Sequence, residues 1–463
     1  MVYYGCIMDN AQRECRSAWG GAADVLRVSL PLVAAALLTA LNGFTDNLFL
    51  ARHSETALRA ALPANVFAGF VTMLALVTIG YCGTMLARAL GSRRPAHAVS
   101  IAANGILLSL ASSVLFAAVA PAVRPTLMLF GHAPDMLALE CSLLYYLLAA
   151  GPVAVAASVA AGFFAGQGLT RAVAAATACG VVAKTALTPL LVFGPGPLPE
   201  MGIEGAGVAS IASHLAVCLA YLAAAVRNPL ARAAARRRSL LAFRPGLAAD
   251  ILRYGLPLCG QEIVGYGSFF ALVALIGRLD ASSAAASSAV FAINCPFNAV
   301  VNGFREGVEI LVGRASGQKD IKSVVSTVKA ASALAIAMSL AYVAVLALFR
   351  RPLLAMFLSG DAASIDRPAF FSVGSRVLLM LMLRTTVEFL MFVFMFALRG
   401  IGCTQAIFRT GLAIAATAWL PGLVLVTLYH PTAPAYWFLM VITSALGCLI
   451  YCIRLRRQLA FAA

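Results

Sequence analysis

Ionisable side chains stand inside long apolar stretches of this sequence, where acid and base chemistry is unusual. The candidates are Asp46 and Lys184 in the first half of the chain and, in the second half, Glu262, Arg305, Glu306, Glu309, Arg384 and Glu388. A charged side chain at the centre of a bilayer costs about 2.5 to 3.5 kcal/mol on insertion scales. Each group therefore needs an opposite charge or a water-filled cavity. Such groups are suited to binding a proton, a small cation or a charged substrate.

The composition explains why these stretches must lie in a membrane. Of the 463 residues, 62% are hydrophobic and 11% are charged, with a mean hydropathy of +0.92. A soluble chain carries roughly 25% charged residues, so a soluble fold is excluded. The net charge of +16 comes from short clusters scattered between apolar runs, which does not indicate a nucleic-acid partner. The 11 cysteines show no metal-ligand spacing, and we expect no metal and no cofactor.

Hydropathy predicts an all-α polytopic membrane protein with twelve transmembrane helices. The apolar runs lie at about 25–51, 61–87, 97–121, 137–165, 172–194, 203–226, 251–277, 284–312, 324–349, 370–398, 406–429 and 434–453. Lys and Arg are concentrated in the tails and the even-numbered loops. We therefore expect a multi-pass protein of the cell inner (plasma) membrane with both termini in the cytoplasm. The basic run Arg236-Arg237-Arg238 is expected to set topology and contact anionic lipid.

An internal repeat divides the chain into two halves. An offset of 226 residues places Asp24 on Asp250 and Pro31 on Pro257, and a later offset of 234 places Gly166-x-Gly168-x-Thr170 on Gly400-x-Gly402-x-Thr404. Six helices separate equivalent positions, so the two lobes have the same orientation and should face each other across a central cavity. The predicted organisation is a tail (1–23), an N-lobe (24–226), a basic connector (227–249), a C-lobe (250–455) and a second tail (456–463).

Several short motifs stand at or near these positions. They are the two Gly-x-Gly-x-Thr turns, Phe44-Thr45-Asp46-Asn47-Leu48-Phe49, Ala87-Arg88-Ala89-Leu90-Gly91, and Leu191-Val192-Phe193-Gly194 followed by Gly205-Ala206. In their order and spacing they resemble the multidrug and toxic compound extrusion (MATE) family, within a wider group that also contains oligosaccharide-lipid flippases. The resemblance implies two pseudo-symmetric six-helix lobes, alternating access, and export of amphipathic, often cationic compounds driven by a proton or sodium gradient.

The resemblance also implies that Asp46 is a site for the coupling ion. Family members usually carry Asn at the place of Lys184 and Asn or Asp at the place of Thr188, so this chain departs from the family pattern there. Asp46 lies roughly 9 Å and Lys184 roughly 15 Å below the outer helix ends, and the lysine stem can extend about 6 Å upward. The sequence therefore predicts that the ammonium reaches Asp46 and occupies the place of a bound cation. A purely structural pair is an equal alternative.

The second-lobe charges have no counterpart in the first lobe. Arg305 and Glu309, and likewise Arg384 and Glu388, are spaced four apart and predict pairs on one helical face. We expect Glu309 to form an interfacial ion pair, and we favour a functional role for the deeper Glu262, Glu306 and Glu388. His214 is interpreted as a packing histidine in preference to a proton relay.

Three functions compete at this stage. The first is a secondary antiporter that exports cationic or amphipathic small molecules, with H⁺ favoured and Na⁺ possible as the coupling ion. The second is a flippase for lipid-linked saccharides, which Lys184, Arg305 and Arg384 would suit. The third, a membrane enzyme, is disfavoured because His53, His97, His132 and His430 fall in separate loops. Besides its substrate and the bilayer we expect no partner and a monomer.

Overall fold

The computed structural model describes residues 21–128, 134–194, 199–235, 240–357, 366–429 and 431–462. These residues form helices, twelve of which are long and apolar enough to cross a membrane. The all-α polytopic class is therefore confirmed. Most of the predicted N-terminal tail, the run at 236–238, His132 and His430 lie outside the described residues.

The first six spans are formed by α1 (Ala22–His53), α2 (Glu55–Gly80) with its continuation α3 (Cys82–Gly91), α4 (Pro95–Met128), α5 (Pro134–Gly166), α6 (Thr170–Phe193) and α7 (Gly202–Arg227). A short helix, α8 (Pro229–Ala235), follows in the connector. The remaining spans are α9 (Pro245–Ile276), α10 (Ala281–Gly317), α11 (Ile321–Leu348), α13 (Arg367–Ile401), the pair α14 (Thr404–Ile414) and α15 (Leu420–Tyr429), and α16 (Ala433–Ala462), with short α12 (Arg350–Ala355) after α11.

The described residues group into two compact units. The first contains residues 28–259 and the second contains residues 260–463 together with 21–27. Helices α1 and α9 are thus each divided between the units, close to Pro31 and Pro257. Each proline removes one backbone hydrogen bond, so these are the points at which the two helices bend most easily. The lobe limits predicted from the repeat stay a prediction.

The backbone repeats the same unusual conformations in both halves, which supports the predicted pseudo-symmetry. Arg93 and Lys319, equivalent by the 226-residue offset, both adopt a left-handed conformation with φ of 58°. Gly168 and Gly402, equivalent by the 234-residue offset, have φ of 83° and 97°. Non-glycine residues rarely adopt positive φ, so these matches show that the turns themselves are duplicated.

Equivalent polar residues also begin equivalent helices. The Ser54 side chain accepts a hydrogen bond from the Ala57 amide at the start of α2, and Asp280 accepts one of 2.9 Å from the Ser283 amide at the start of α10. Hydrogen bonds from Ser283 lower the pKa of the Asp280 carboxyl below its ordinary value. Both caps satisfy amides that a helix start otherwise leaves unpaired.

Small residues hold the helices of the first unit together. Alanines at 57, 60, 61, 64 and 68 follow helical spacing on α2 and are at most 5% exposed. Between α3 and α5 the approach is closer still, because a methyl group added at Gly162 would lie 2.7 Å from the Cα atom of Gly83. Small residues are what allow membrane helices to pack backbone to backbone.

The second unit packs with larger side chains. Helix α13 lies against α10 and α16. Its Val377, Leu378 and Leu381 are buried in a cluster with Tyr436 and Trp437 of α16. This cluster packs the N-terminal half of α13, and the C-terminal half, which carries Arg384, Glu388 and Arg399, also belongs to the helix that packs against α10.

A π-helical segment, Ala415–Trp419, interrupts the helix predicted over 406–429. The amide of Leu420 bonds to the carbonyl of Ala415, five residues back. Pro421 follows directly and has no amide to continue the α-helical ladder. The wider turn absorbs this break inside the membrane span.

Replacing Gly162 by alanine tests the close crossing of α3 and α5. The added methyl group has no space beside the Gly83 backbone, so we expect a loss of about 1 to 3 kcal/mol, seen as a lower Tm of the purified protein in detergent. Gly69→Ala is the matched control, because a methyl group there meets no atom within 4 Å. Equal Tm values for the two variants would contradict the close crossing.

Candidate ion-coupling and substrate-binding sites

The first unit places Asp46 of α1 against Lys184 of α6. The lysine Nζ lies 2.5 Å from Asp46 Oδ2, and the two side chains are 13% and 14% exposed, lysine first. The pair that the helix depths predict is therefore present. Both charges are largely removed from the surroundings of the protein, which makes each the principal electrostatic partner of the other.

Two polar side chains, Thr188 and His214, lie near this pair. The Thr188 hydroxyl, which is fully buried, donates to the Lys184 carbonyl at 2.8 Å and also lies beside the Asp46 carboxylate. His214 of α7 lies near enough to Lys184 for the two side chains to interact electrostatically. Its Nδ1 atom is 2.8 Å from the Ser210 carbonyl, which can only accept, so Nδ1 carries a proton and Nε2 is the acceptor in neutral His214. The packing role predicted for His214 stays a prediction.

Two buried oxygens beside this pair have no hydrogen-bond partner among the described residues. They are Asp46 Oδ1 and Asn42 Oδ1, and Asn42 precedes Asp46 by one helical turn. A buried acceptor without a donor carries its full desolvation cost. The arrangement thus leaves a carboxylate oxygen and an amide oxygen that can each accept a hydrogen bond or bind a cation. Sequence reasoning missed Asn42, although its spacing of four from Asp46 is the signal that would have found it.

The second unit forms the predicted pair between Arg384 and Glu388 on α13. The side chains are 14% and 15% exposed, respectively. A small cavity adjoins Glu388, with room for about one water molecule. It is lined by Asn294, Phe297, Asn298, Val301, Thr385, Glu388, Phe389 and Phe392.

A tyrosine outside this cavity contacts two of the residues that line it. Tyr342 donates to the Asn294 side-chain oxygen at 3.3 Å, and its ring stacks on Phe297 with centroids 4.1 Å apart. The sequence interpretation included neither Tyr342 nor Asn294, because neither side chain is ionised at neutral pH. Their polar and aromatic types within long apolar runs were the available signal.

The expected pair between Arg305 and Glu309 is wrong. Glu309 Oε1 lies 2.9 Å from Arg399 Nε of α13, and the glutamate is 4% exposed. Helices α10 and α13 are pressed together here, since a methyl group at Gly400 would lie 2.8 Å from the Glu309 carbonyl oxygen. Glu309 therefore forms a buried ion pair between two helices, with Arg399 in the last turn of α13. That this pair lies near the membrane interface stays a prediction. Its spacing from Arg305 did not reveal that a second arginine is closer.

Arg305 takes a different position. Its guanidinium lies over the rings of Phe392 and Phe396, at 4.9 Å and 4.6 Å from their centroids. Glu262 and Glu306 are the acids that influence its charge. Neither forms an ion pair with it within the part of the chain that the structure describes. Glu306 is exposed and Glu262 is partly exposed, so both remain accessible.

No cluster of three or more His, Cys, Asp or Glu side chains among the described residues is positioned to hold a metal ion. The charged groups instead occur as two buried pairs in the second unit, one in the first, and a looser group around Arg305. These groups lie on helices that are long and apolar enough to cross a membrane, where such side chains are suited to binding a proton or a charged ligand. The model of the MatE family matches residues 31–190 and 257–424.

The chain belongs to the MatE family. Among curated members, it is 27% identical over 409 residues to a probable multidrug resistance protein NorM of Pseudomonas putida, covering 86% of each chain. It is 26% identical over 361 residues to a protein of the same description from Bradyrhizobium diazoefficiens, covering 74% of this chain and 73% of that one. These matches span both halves of the repeat.

Solved MATE structures share the fold of this MatE chain. A MATE transporter crystallised in a bent conformation superposes with a TM-score of 0.83 at 19% identity, covering 96% of both chains. A multidrug resistance MATE family transporter in an outward-facing conformation gives 0.80 at 18% identity, covering 96% of this chain and 97% of that one. The predicted family and the two-lobe, twelve-helix class are therefore confirmed, and the family is one of membrane transporters.

Removing Arg399 tests the buried pair. Arg399→Met removes the positive charge that faces the buried Glu309 carboxylate, and we expect a loss of about 3 to 5 kcal/mol in stability. Arg399→Met combined with Glu309→Leu should recover most of that loss, because both charges are then gone. The measurement is the Tm of purified protein in detergent.

The control is Arg376→Met on the same helix, where the arginine is exposed. We expect that variant to unfold at nearly the wild-type temperature. A double variant no more stable than Arg399→Met alone would contradict the assignment of a structural ion pair.

Proposed function

We propose that this protein is a secondary antiporter that exports cationic or amphipathic small molecules, coupled to inward proton movement by alternating access. The observation that carries the proposal is the Lys184 ammonium seated on Asp46 Oδ2 at 2.5 Å, at the position that the MATE resemblance implies for the coupling ion. The names of its relatives, which describe multidrug resistance proteins, support export of small molecules.

The tethered ammonium argues against sodium at Asp46. A bound Na⁺ would have to share a small buried site with a fixed positive charge, and like charges in a low-dielectric interior repel strongly. The ammonium also lacks an acceptor atom, so it cannot replace the amide oxygen that family members usually place there. Asp46 and Lys184 together are electrically neutral and can exist in mid-membrane without a bound ion.

Substituting Lys184 by asparagine tests this idea. Asparagine removes the fixed charge and supplies an amide oxygen beside the free oxygens of Asp46 and Asn42. We expect efflux of a cationic dye by Lys184→Asn to become dependent on a sodium gradient. The assay is dye uptake into everted vesicles with sodium and pH gradients imposed separately.

Lys184→Met is the matched control, because it removes the ammonium without supplying an oxygen. It should weaken transport without creating sodium dependence, and Asp46→Asn should impair transport strongly by leaving the ammonium unpaired. Ion dependence in Lys184→Asn identical to the wild type, at normal expression, would exclude the tethered-cation role.

In the second unit the ion pairs narrow the choice of proton carrier. Glu309 is held by Arg399 and Glu388 by Arg384. Glu306 and Glu262 are the acids in this group without an ion pair among the described residues. Glu306 is also exposed, so we propose it as the proton carrier, with Glu262 and Glu388 as the alternatives. A proton and a cationic substrate then compete for the same negative charge.

Competition at one acid is sufficient for coupling. A ligand shifts a conformational equilibrium only through its different affinity for the two states. If protonation favours one orientation and substrate binding favours the other, each export event returns one bound proton inward. The two arginine-held acids need not change their protonation for this cycle.

Single replacements of Glu306, Glu262 and Glu388 by glutamine test the carrier. We expect Glu306→Gln to be expressed and folded but to lose about tenfold or more of pH-driven dye efflux, in line with the effect of removing one positioned proton-transfer group. Glu55→Gln is the control, because Glu55 pairs with Arg59 on the exposed start of α2.

Full proton-driven efflux in all three variants would move the coupling site to Asp46. Preferential transport of anionic lipid-linked saccharides by the wild type would support the flippase alternative and overturn export of small molecules.

A further inference from the structure

Arg305 carries a positive charge within a membrane-spanning helix and belongs to neither of the two buried ion pairs described in the second unit. It lies nine positions before Arg314, the basic residue in the last turn of α10, and so roughly 13 Å along the helix from it at 1.5 Å per residue. The guanidinium is fixed over Phe392 and Phe396. Its position is therefore defined by aromatic faces and not by a carboxylate.

The acids near Arg305 do not accept hydrogen bonds from its guanidinium among the described residues. Glu309, four residues on, is taken by Arg399. Glu262, Glu306 and the Tyr266 hydroxyl influence its charge, yet none lies within hydrogen-bonding or ion-pairing distance among the described residues. The side chain is partly exposed. Its N–H donors are thus accessible and unused.

Stacking leaves the edge of a guanidinium free for an anion. Cation–π contact uses the flat faces of the group, whereas its donors lie in the plane and match a carboxylate or phosphate with two parallel hydrogen bonds. A mid-span cation without an anion is costly, so binding one there is favourable. Phe392 also lines the small cavity beside Glu388, so the same ring borders both that cavity and Arg305.

We propose that Arg305 is a specificity-determining residue that binds the anionic group of zwitterionic substrates. The substrate carboxylate, or a similar anion, binds the Arg305 edge, and the cationic group of the substrate lies near Glu306 or Glu262. This inference rests on the proposed export function and assigns the residue that distinguishes zwitterionic from purely cationic substrates. A lysine would not serve equally, because it lacks both the fork of donors and the flat faces.

A pair of dyes with one scaffold tests the proposal. Rhodamine B carries a cationic ring system and a carboxylate, and its ethyl ester keeps the cation but loses the anion. Uptake of each is measured in everted vesicles under an imposed pH gradient. We expect Arg305→Gln to lower kcat/KM for the zwitterion by about tenfold or more, the effect of losing a charge-assisted hydrogen bond, with little change for the ester.

Two further variants keep the result interpretable. Arg305→Lys should recover only part of zwitterion transport, and Arg376→Gln, at an exposed arginine of α13, should leave the ratio of the two dyes unchanged. If Arg305→Gln is poorly expressed, Phe396→Leu removes one stacking face and should shift the same ratio in the same direction. An equal loss for both dyes would overturn the proposal.

The same assay separates this inference from the proposed function. Wild-type protein that transports neither dye contradicts export itself, whereas transport of the ester alone contradicts only the role of Arg305. A membrane phosphate is the other source of an anion. If ester transport by purified protein depends on phosphatidylglycerol in the wild type but not in Arg305→Gln, the site binds lipid and the zwitterion proposal is wrong.

Discussion

A charge inside a bilayer must be neutralised or hydrated, and the arrangement of this protein's interior follows from that constraint. Desolvation of an ion costs several kcal/mol, which only a close partner or water can offset. The chain meets this requirement with Lys184 on Asp46, Arg384 beside Glu388, and Arg399 on Glu309. Each pair is almost neutral as a unit, and each can therefore remain in mid-membrane when no ligand is bound.

The three pairs differ in their surroundings. These differences distinguish a pair that joins two helices from pairs that lie beside groups able to bind a ligand. Glu309 and Arg399 lie where α10 and α13 press together at Gly400, so the pair joins two helices. Asp46 and Lys184 lie beside unpartnered oxygens of Asp46 and Asn42. Glu388 adjoins a cavity of about one water molecule. Glu388 therefore has space beside it for a water molecule, and Asp46 lies beside acceptor oxygens that lack a donor among the described residues, whereas the Glu309 pair lies where two helix backbones meet.

Much of the fold could be predicted from hydropathy and from the internal repeat, because both signals extend over many residues and do not depend on any single contact. Twelve spans, and the duplicated turns at Gly168 and Gly402, could be predicted. The Asp46 and Lys184 pair could also be predicted, since depth along two helices limits which groups can meet. The partner of Glu309 could not. Spacing on one helix identifies neighbours on that helix but gives no information about an arginine on the helix packed against it.

The same limitation concealed the unusual state of Arg305. On sequence grounds Arg305 belonged to a pair with Glu309, and Arg399 was not among the candidate charges. With Arg399 included, four acids meet three bases: Glu262, Glu306, Glu309 and Glu388 against Arg305, Arg384 and Arg399. After the two close pairs are formed, two accessible acids and one accessible arginine remain. A group of that composition is suited to a ligand that carries both charges, whereas a site of acids alone would favour only cations. Because Glu309 pairs with Arg399 of the neighbouring helix, Arg305 is the arginine that remains available to a ligand beside Glu262 and Glu306.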